Sequence, residues 1–495
     1  MNILGIGGVL SDAAAALIQN DQIAAAVEES KLTRRSHTGL LPDAAINCCL
    51  QIAAISPEEV DYVALARPLP PGPELAIALR RFSRAKLVSV DHHRAHANSA
   101  YLASPFEKAT VITLDRAGDL RCGAKWKGDG ARLTLEEEIL FPNSIGALYG
   151  RITELLGFRA RSDEHLTQWL SVTGKPRFAY GLTGVEGDLH EKLGLPEGKL
   201  KPQDRADLAA SIQKVLEEYV LRYAGDAEYL CLAGGVAWNA LLVRALEQSG
   251  QFKGVFAQPA AGNAGTALGA ALGVWQSATG STKKLDGGGY CLGPSFTPSE
   301  VKQVLENCKL RFKVLPTVPD LLGATADQLQ QNRIVAWMQG RMEFGPRALG
   351  NRSILASPQD AYSTENLNTF IKHREGFRKF AASVPAELAG EYFDAGANAR
   401  HLATVSKVRP EYREQFHSAT LAHDLIRVHT VYREDNPLYW QLLHAFGERT
   451  GLPVLFNTSF NLFGEPLVCT PRDAVRSFYS SGIDAMVAGN FLLEK

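Results

Sequence analysis

The chain opens with short apolar runs that are separated by turns of small and polar residues. A strand, a Gly/Asp/Ser turn, a second strand and a QND hairpin signal follow one another in NILGIGGVLSDAAAALIQNDQIAAAVEES. An amphipathic helix is predicted for LLPDAAINCCLQIA, which has Pro42 near its start and Asp43 in its first turn. VDYVALA and KLVSV read as two further strands. The first 107 residues therefore predict an α/β unit.

The same order of elements recurs further along the chain. A β-branched strand ends in Asp-x-x-Gly and is followed by a second strand and a turn in ATVITLDRAGDLRCGAKWKGDG. A later strand, a Gly-Gly turn and a helix follow in EYLCLAGGVAWNALLVRAL, where the helix start could face a nucleotide. Two such copies predict a duplicated α/β domain, which is how actin-like ATPase folds are built, with two turns facing each other across a cleft.

A change of composition predicts where this duplicated region ends. The stretch TGSTKKLDGGGYCLGPSFTP, from Thr279 to Pro298, is rich in Gly, Ser, Pro and Lys, which is typical of a linker. A second α/β segment follows it. The length of 495 residues exceeds what one hydrophobic core usually serves, so we expect two or three domains.

Composition narrows the class of protein. The 52 Lys and Arg residues balance the 53 Asp and Glu residues, which argues against a nucleic-acid binder. The seven cysteines are scattered and never form a CxxC pair, so we expect neither disulfides nor a cysteine zinc site. MNILGIGG reads as a strand rather than a signal peptide, and no apolar run approaches the roughly 18 residues that span a bilayer. We therefore expect a cytoplasmic protein without a membrane partner.

Arginines are concentrated in one segment of the second half. Arg341, Arg347 and Arg352 lie within QGRMEFGPRALGNRSILASP, and more cations follow in IKHREGFRKFAASV. The rigid guanidinium fork suits phosphate and carboxylate oxygens, and the interleaved glycines and proline favour a local anion pocket. A solvated basic surface with salt bridges is the alternative.

Two polar clusters are further candidates for ligand binding. Near the C-terminus, LPVLFNTSFNLFGEPLVCTPRDAV places Asn457, Ser459 and Asn461 after a buried strand, where they could fix a small ligand or cap their own turn. In DHHRAHANSAY, His92 and His96 are one helical turn apart. Such a pair is either structural or half of a metal site, and a metal site would need a third oxygen or nitrogen ligand.

Taken together, the motifs resemble the carbamoyltransferase family of nodulation protein U, the cephalosporin hydroxymethyl carbamoyltransferase and the tobramycin carbamoyltransferase. The resemblance runs almost end to end and is carried by EESKLTR, DHHRAHANSAY, SIGALYGRITELLGF, AGGVAWN, GTALGAAL, EFGPRALGNRSIL, KHREGFR, NTSFNLFGEPLV and SGIDAMVAGN. It implies an actin-like (ASKHA) ATPase-type domain over residues 1–285, with subdomains at about 1–107 and 108–285, and a YrdC-like α/β domain over residues 290–495.

The resemblance also implies a reaction and a set of site residues. The YrdC-like domain would form carbamoyl adenylate from carbamoyl phosphate and ATP, and the actin-like domain would pass the carbamoyl group to a small-molecule hydroxyl, as in natural product biosynthesis. Carbamoyl phosphate binding is carried over to Arg347, Lys372, Arg378, Arg427, Asn457 and Ser459. Nucleotide binding is carried over to Gly234, Gly235, Asn239 and Gly265. A divalent metal (Fe, or Mg/Mn) would use His92, His96 and Asn263, and catalytic groups are expected at Ser11, Asp12 and Asp115.

The chain departs from the family pattern mainly in the actin-like domain. Ser11 replaces a histidine, Asn263 replaces an aspartate that would ligate the metal, and Arg116 replaces a glycine. SDEHLTQWLS, residues 162–171, stands where the family has GEYKVMGLA, and RKFAAS, residues 378–383, where it has RPFAPS. An amide oxygen binds a metal more weakly than a carboxylate and favours a hard cation. The divergent stretch from Ser162 to Tyr180 is a plausible acceptor pocket.

These departures leave two alternatives open at this stage. The chain could form carbamoyl adenylate but transfer it to an unusual acceptor or through a partner, or it could be a nucleotide-binding scaffold without turnover. We expect carbamoyl phosphate, ATP and a small-molecule acceptor as partners and no nucleic acid. The sequence is compatible with a homo-oligomer and with a complex that includes a homologous partner subunit.

Overall fold

The structure is a computed structural model of the chain. It describes residues 1–35, 41–69, 74–178, 189–193, 195, 200–360, 362–373, 378–462 and 464–495. Parts of the sequence stretches discussed above lie outside these ranges, namely Leu40, residues 179–180, residues 374–377 and Phe463.

A five-stranded sheet forms the first part of the fold. Its strands are β1 Asn2–Gly7, β2 Ala14–Gln19, β3 Gln22–Glu28, β4 Tyr62–Ala66 and β5 Lys86–Val90, in the order β3-β2-β1-β4-β5. β1–β2 and β2–β3 pair antiparallel, whereas β1–β4 and β4–β5 pair parallel. The helices of this part are α1 Glu29–Thr33, α2 Asp43–Ala53, α3 Glu74–Leu79 and α4 His92–Tyr101. The strands and the α2 helix predicted from the apolar pattern are all present.

A second five-stranded sheet repeats this plan. Its strands are β6 Lys108–Gly118, β7 Arg121–Asp129, β8 Arg132–Leu140, β9 Tyr229–Ala233 and β10 Gly254–Ala257, in the order β10-β9-β6-β7-β8. β6–β7 and β7–β8 are antiparallel, and β6–β9 and β10–β9 are parallel. The helices here are α5 Ile145–Leu155, α6 Glu164–Ser171, α7 Leu189–Leu193, α8 Pro202–Ala224, α9 Ala240–Gln248 and α10 Gly265–Thr279. The predicted duplication, and with it the α/β fold class, is confirmed.

Helices α4 and α10 pack closely because small residues line their contact. A methyl group added at Gly269 of α10 would lie 1.7 Å from the carbonyl oxygen of Ala95 in α4. One added at Gly5 in β1 would lie 2.0 Å from the carbonyl oxygen of Ala267 in α10. Only glycine permits such backbone approach, so these positions fix where α4 and its histidines lie relative to α10 and the first sheet.

The segment that composition predicts to be a linker has no helix or strand between Gly280 and Thr297, yet it is packed. Leu285, Tyr290 and Leu292 are buried in the same core as α4 and α10. The carbonyl oxygen of Leu292 accepts a hydrogen bond from Ala26 N at 3.1 Å. The segment therefore joins the two parts of the molecule rather than separating them.

A nine-stranded mixed sheet forms the C-terminal part. Its strands are β11 Lys313–Val314, β12 Val335–Met338, β13 Arg352–Ala356, β14 Ala381–Pro385, β15 Ser406–Lys407, β16 Leu425–Val431, β17 Leu455–Ser459, β18 Ala485–Ala488 and β19 Phe491–Glu494, in the order β11-β19-β18-β12-β13-β17-β14-β16-β15. Its helices are α11 Pro298–Asn307, α12 Val318–Gln330, α13 Ser363–Asn366, α14 Ala389–Tyr392, α15 Arg413–Phe416, α16 Pro437–Thr450 and α17 Pro471–Tyr479. Below, the two five-stranded sheets with their helices are the N-terminal unit, and this sheet with its helices is the C-terminal unit.

A helix that crosses a bilayer needs about 18 or more predominantly apolar residues. Within the described ranges, none is both long enough and apolar enough to cross a membrane.

Candidate active site

Helix α4 places two histidines against one carboxylate. Asp91 caps the helix by accepting a hydrogen bond from Arg94 N at 3.0 Å, so the helix begins at His92 and His96 follows one turn later. Asp115, in β6, brings its Oδ2 to 2.8 Å from His92 Nε2 and 2.9 Å from His96 Nε2. All three side chains are buried. We call His92, His96 and Asp115 the histidine–aspartate cluster.

The cluster keeps Asp115 ionised. Burial opposes the charged carboxylate, but the adjacent His96 and His92 outweigh burial and hold the pKa of Asp115 well below its usual range. Asp115 Oδ1 also accepts the backbone N–H of Gly235 at 2.5 Å. Burial lowers the pKa of His96, which favours its neutral form. The charged Asp115 carboxylate therefore lies beside a neutral His96 imidazole.

The residues of this cluster fit a divalent metal. Imidazole and carboxylate donors suit Zn, Fe or Mn, and buried ligand atoms without partners indicate a missing ligand. Among the described residues, His96 Nδ1 is buried without a hydrogen-bond partner, while its Nε2 lies 2.9 Å from Asp115 Oδ2. His93 is a further donor that the sequence did not single out: with His92 and Asp115 it offers ligand atoms within 4.8 Å of one another. His93 Nδ1 lies 2.9 Å from Thr113 Oγ1, which leaves its Nε2 available.

Two departures from the family pattern touch each other. Asn263, placed just before α10, donates from Nδ2 to Ser11 Oγ at 2.5 Å. Ser11 follows the end of β1 in a turn where the next residue, Asp12, is exposed and has a φ of 59°. The oxygen ligand that the structure brings to both histidines is thus Asp115, whereas the described hydrogen bond of the Asn263 side chain is to Ser11. The metal role predicted for Asn263 stays a prediction.

The loop of residues 261–265 contacts both the turn that contains Ser11 and the Gly234–Gly235 turn. The carbonyl oxygen of Ala261 accepts from Gly234 N at 2.8 Å, and Asn263 reaches Ser11 from the same loop. Gly234 has a φ of 90°, and a methyl group there would lie 2.2 Å from the carbonyl oxygen of Leu114. A methyl group on Gly265 would lie 1.9 Å from the carbonyl oxygen of Ala260. These glycines therefore allow the loop and the Gly-Gly turn to approach the end of β6, beside Asp115.

Asn239 uses its side chain within the protein. Its Oδ1 accepts from Leu242 N at 2.9 Å and caps α9, while its Nδ2 donates to Gln213 Oε1 at 2.8 Å. Glu217, one turn further along α8, also accepts from Gln213, at 2.7 Å. The sequence predicted a nucleotide contact for Asn239, but these contacts give it a structural task as well.

Neighbouring strands of the C-terminal unit bring the predicted anion-binding residues together. Ala381 in β14 lies opposite Arg427 in β16 on one side and opposite Asn457 in β17 on the other. Asn457 Nδ2 donates to the carbonyl oxygen of Ala348 at 3.1 Å, beside Arg347. The register of three strands thus collects residues that are far apart in sequence.

Arg347 lies close to both Arg378 and Arg427, and we call this group of three residues the arginine pocket. Burial, and next the nearby Arg378, lower the pKa of Arg347 to about 10. Burial, and next Arg347, hold the pKa of Arg427 well below its usual range. Half-buried guanidinium groups whose charged neighbours are other guanidinium groups create a positive potential that an anion would relieve.

Lys372 supports the same region from the end of a π-helical turn, Leu367–Lys372. Its buried Nζ donates to the carbonyl oxygen of Ser459 at 2.6 Å and to Asn461 Oδ1 at 2.7 Å. It therefore holds the chain leaving β17, and Asn461 is an additional member of the site.

Two arginines of the QGRMEFGPRALGNRSILASP motif are structural, contrary to a reading of the whole motif as an anion pocket. Arg341 donates to the carbonyl oxygens of Leu292, Gly293 and Ala24. Arg352 is fully buried and donates to five carbonyl oxygens, those of Gln339, Gly340, Asn351, Pro294 and Cys469. Only Arg347 of the three joins the pocket.

The sequence missed two residues of the arginine pocket. Trp169, on α6 of the N-terminal unit, has its ring centroid 4.9 Å from the Arg427 guanidinium carbon. His165 lies one turn earlier on the same helix, and burial, followed by the nearby Arg378 and Arg347, lowers its pKa to about 4. They fall in the divergent stretch that was singled out as an acceptor pocket. The departure of this stretch from the family pattern indicated that it was unusual. The stretch contained no feature that predicted a contact with the C-terminal unit.

Comparisons with known proteins define the class. Residues 2–68, 74–184 and 182–272 match the family model described as Carbamoyltransferase N-terminus, and residues 326–495 match Carbamoyltransferase C-terminus. Nodulation protein NolNO of Sinorhizobium fredii is 32% identical over 98% of this chain and 79% of that protein. The 3'-hydroxymethylcephem-O-carbamoyltransferase of Streptomyces clavuligerus is 27% identical over 97% of this chain and 96% of that protein.

Solved structures show partial overlap. HypF from T. kodakarensis aligns with a TM-score of 0.39 and 16% identity over 56% of this chain and 48% of that chain. The ROK hexokinase from Thermus thermophilus aligns with a TM-score of 0.35 and 14% identity over 57% of this chain and 100% of that chain.

The chain belongs to the carbamoyltransferase family. It is an enzyme, a carbamoyltransferase, and the resemblance inferred from its motifs is confirmed.

Proposed function

We propose that this enzyme carbamoylates a hydroxyl of a small-molecule acceptor, using carbamoyl phosphate and ATP through carbamoyl adenylate. The main support for this proposal is the arginine pocket. The charged groups that lower the pKa of Arg347 and Arg427 are other guanidinium groups, not carboxylates, so the pocket suits a phosphate anion. The name of the Streptomyces clavuligerus relative describes O-carbamoylation of a hydroxymethyl group, which supports a hydroxyl acceptor.

The first half-reaction belongs to the C-terminal unit, which we assign to residues 290–495. Arg347, Arg378 and Arg427 neutralise the phosphate of carbamoyl phosphate, and Lys372 fixes Ser459 beside them. Water cleaves carbamoyl phosphate to carbamate and phosphate, and a carbamate oxygen attacks the α-phosphorus of ATP and expels pyrophosphate. The protein contributes placement and charge stabilisation to both steps.

The second half-reaction belongs to the N-terminal unit, which we assign to residues 1–285. We place the nucleotide at Gly234, Gly235 and Gly265, with Asn239 at its edge. A methyl group at Gly234 or Gly265 would lie 2.2 or 1.9 Å from a backbone carbonyl oxygen, and one at Gly235 would lie 3.3 Å from Asp115 Oδ1, so the backbone is closely packed at these positions. The acceptor hydroxyl attacks the carbamoyl carbon, AMP leaves, and the hydroxyl proton passes to a base. Asp12, which is exposed beside Ser11, is our candidate for that base.

We place a divalent cation at His92, His96 and Asp115, with His93 and Asn263 as neighbouring donors. Such a cation would supply a Lewis acid that lowers the pKa of a bound hydroxyl. The protein's own contribution is to keep the Asp115 carboxylate charged and the imidazole of His96 neutral. Asn263, which donates to Ser11, carries no charge where the family pattern has a carboxylate. This end of the cleft is therefore less negative, which favours a hard cation or weaker cation binding.

The test follows pyrophosphate. Purified protein is incubated with ATP and carbamoyl phosphate, pyrophosphate and AMP are quantified, and hydroxylamine is added to trap carbamoyl adenylate as hydroxyurea. We expect pyrophosphate release to require both substrates and to fall at least about tenfold in Arg347→Met, because a pocket contact to phosphate is lost.

The matched control is Arg472→Met, which removes an exposed arginine from α17 and should leave the rate unchanged. Native protein that binds both substrates without releasing pyrophosphate would overturn the activation step. Release that does not depend on carbamoyl phosphate would overturn it too.

A further inference from the structure

Helix α6 carries two side chains of the N-terminal unit into the arginine pocket of the C-terminal unit. His165 and Trp169 are four residues apart, so they lie on one face of the helix. The Arg427 guanidinium carbon lies 4.9 Å from the Trp169 ring centroid, which is a cation–π contact. His165 lies in the field of Arg378 and Arg347. The pocket is thus completed by both units.

Three polar atoms of this region are buried without partners. Within the described part of the chain, His165 Nε2, Asn457 Oδ1 and Arg427 Nε have no hydrogen bond and almost no solvent contact. Buried polar atoms are rarely left unpaired in folded proteins, and each such atom calls for a ligand or an ordered water. One of these atoms is a donor and two are acceptors, which suits a ligand that both accepts and donates hydrogen bonds.

The acceptor character of two of these atoms follows from their other contacts. His165 Nδ1 lies 3.1 Å from the carbonyl oxygen of Ser162, so Nδ1 carries the proton and Nε2 the lone pair. Burial, followed by the nearby Arg378 and Arg347, lowers the pKa of His165 to about 4, which keeps the ring neutral near pH 7. Asn457 Nδ2 donates to Ala348 O at 3.1 Å and to Ser383 Oγ at 3.2 Å, which leaves its Oδ1 as an acceptor.

The two kinds of atom match the two ends of carbamoyl phosphate. Guanidinium groups can only donate, so they bind the phosphate oxygens and the carbonyl oxygen. The carbamoyl –NH2 group donates hydrogen bonds, and it needs an acceptor beside three guanidinium groups that can only donate. Acetyl phosphate carries a methyl group at the same place and would leave such an acceptor unpaired.

We propose that His165, supplied by the N-terminal unit, is a specificity-determining residue whose Nε2 accepts a hydrogen bond from the carbamoyl –NH2 group. Asn457 Oδ1 is the second acceptor, and Trp169 is a positioning residue that orients Arg427. This inference rests on the proposed function in that it takes carbamoyl phosphate as the ligand. The inference adds to that function the side chain that distinguishes carbamoyl phosphate from acetyl phosphate.

The experiment measures binding, so it does not depend on turnover. Dissociation constants for carbamoyl phosphate and acetyl phosphate are determined by calorimetry on the native chain, His165→Phe and His165→Gln. Because an unpaired buried partner weakens binding by roughly tenfold or more, we expect His165→Phe to lose at least about tenfold for carbamoyl phosphate. Its affinity for acetyl phosphate should stay within about twofold. His165→Gln, whose Oε1 can stand where Nε2 was, should recover part of the loss.

Two controls separate this role from a structural one. His417→Phe, at an exposed histidine of the C-terminal unit, should change neither constant. In the native protein, the ¹⁵N resonance of His165 Nε2, assigned by its loss in His165→Gln, should move on adding carbamoyl phosphate and much less on adding acetyl phosphate. This measurement keeps the test decisive if His165→Phe does not fold.

An equal loss of affinity for both phosphates in His165→Phe, or equal ¹⁵N shifts with both, would overturn the inference. The proposed function fails by a different result, namely the absence of pyrophosphate release from the native protein.

Discussion

Glu28 and Gly345 are joined by a hydrogen bond across the two units, from Gly345 N to Glu28 Oε1 at 2.7 Å. The carbonyl oxygen of Gly345 accepts from Lys31 Nζ at 2.7 Å, and Lys31 and Glu28 form a buried ion pair at 2.9 Å. Both polar groups of Gly345 are therefore held by the EESKLTR segment. Arg347 follows two residues later, so the N-terminal unit fixes the loop that supplies an arginine to the pocket.

Lys31→Met should destabilise the protein and weaken anion binding. The substitution leaves the Glu28 carboxylate buried without its cation, a change that costs about 3 kcal/mol or more in other proteins. We expect a loss of that size in the free energy of unfolding in urea, together with weaker carbamoyl phosphate binding. Lys302→Met, at an exposed position of α11, should change either quantity little. Equal effects of the two substitutions would show that the Gly345 contacts contribute nothing specific.

Gly118→Ala should disturb the histidine–aspartate cluster. An added methyl group would lie 2.2 Å from His92 Cδ2, so the imidazole must turn away from Asp115. We expect weaker binding of divalent metal, measured by equilibrium dialysis and elemental analysis, with the fold kept. Gly390→Ala is the matched control, because a methyl group there meets nothing within 4 Å. Unchanged metal affinity in Gly118→Ala would mean that His92 is not a ligand.

Asn263→Asp should strengthen metal binding if the histidine–aspartate cluster and the loop of residues 261–265 share one cation. The change restores the carboxylate that the family pattern has at this position and adds a negative charge, which favours a divalent ion. Asp115→Asn should act in the opposite direction, because it removes the charge that touches His92 and His96. Metal content after dialysis against Fe²⁺ or Mn²⁺ distinguishes the variants. Unaltered content in both would place the cation elsewhere.

The sequence predicted local structure well because each element depends on neighbouring residues. Apolar runs predicted the strands of the first five-stranded sheet and β6, β7 and β9 of the second. The four-residue spacing of His92 and His96 predicted their common face. Contacts between residues from distant segments were harder to predict. Asp115 was expected to be catalytic, and only the pairing of β6 beside α4 shows that it contacts both histidines.

The arginine motif shows the same limit. Arg341, Arg347 and Arg352 have similar sequence surroundings, yet two of them bind backbone carbonyl oxygens and one joins the pocket. A guanidinium group serves either purpose, and the choice depends on which carbonyl groups the fold leaves unpaired beside it. The glycines and the proline of the motif could therefore indicate an unusual backbone but not the direction of each side chain.

Stability should fall as the pH is lowered from about 6.5 towards 4, partly through two buried histidines of the C-terminal unit. Burial lowers the pKa of His401 to about 4 and that of His429 to about 3, from 6.5. Below pH 6.5 the unfolded chain therefore binds protons that the folded chain does not. Protonation then favours the unfolded chain, at about 1.4 kcal/mol per pH unit for each such group.

His429→Asn isolates this effect, because Asn can keep the contact that His429 Nδ1 makes with Ser383 Oγ at 3.2 Å but does not titrate. The slope of unfolding free energy against pH, measured in urea between pH 6 and 5, should fall by about 1.4 kcal/mol per unit relative to the native chain. Gln415→Asn, at an exposed position of α15, should leave the slope unchanged, because neither side chain titrates. A slope unaltered in His429→Asn would mean that the buried ring takes up its proton without unfolding.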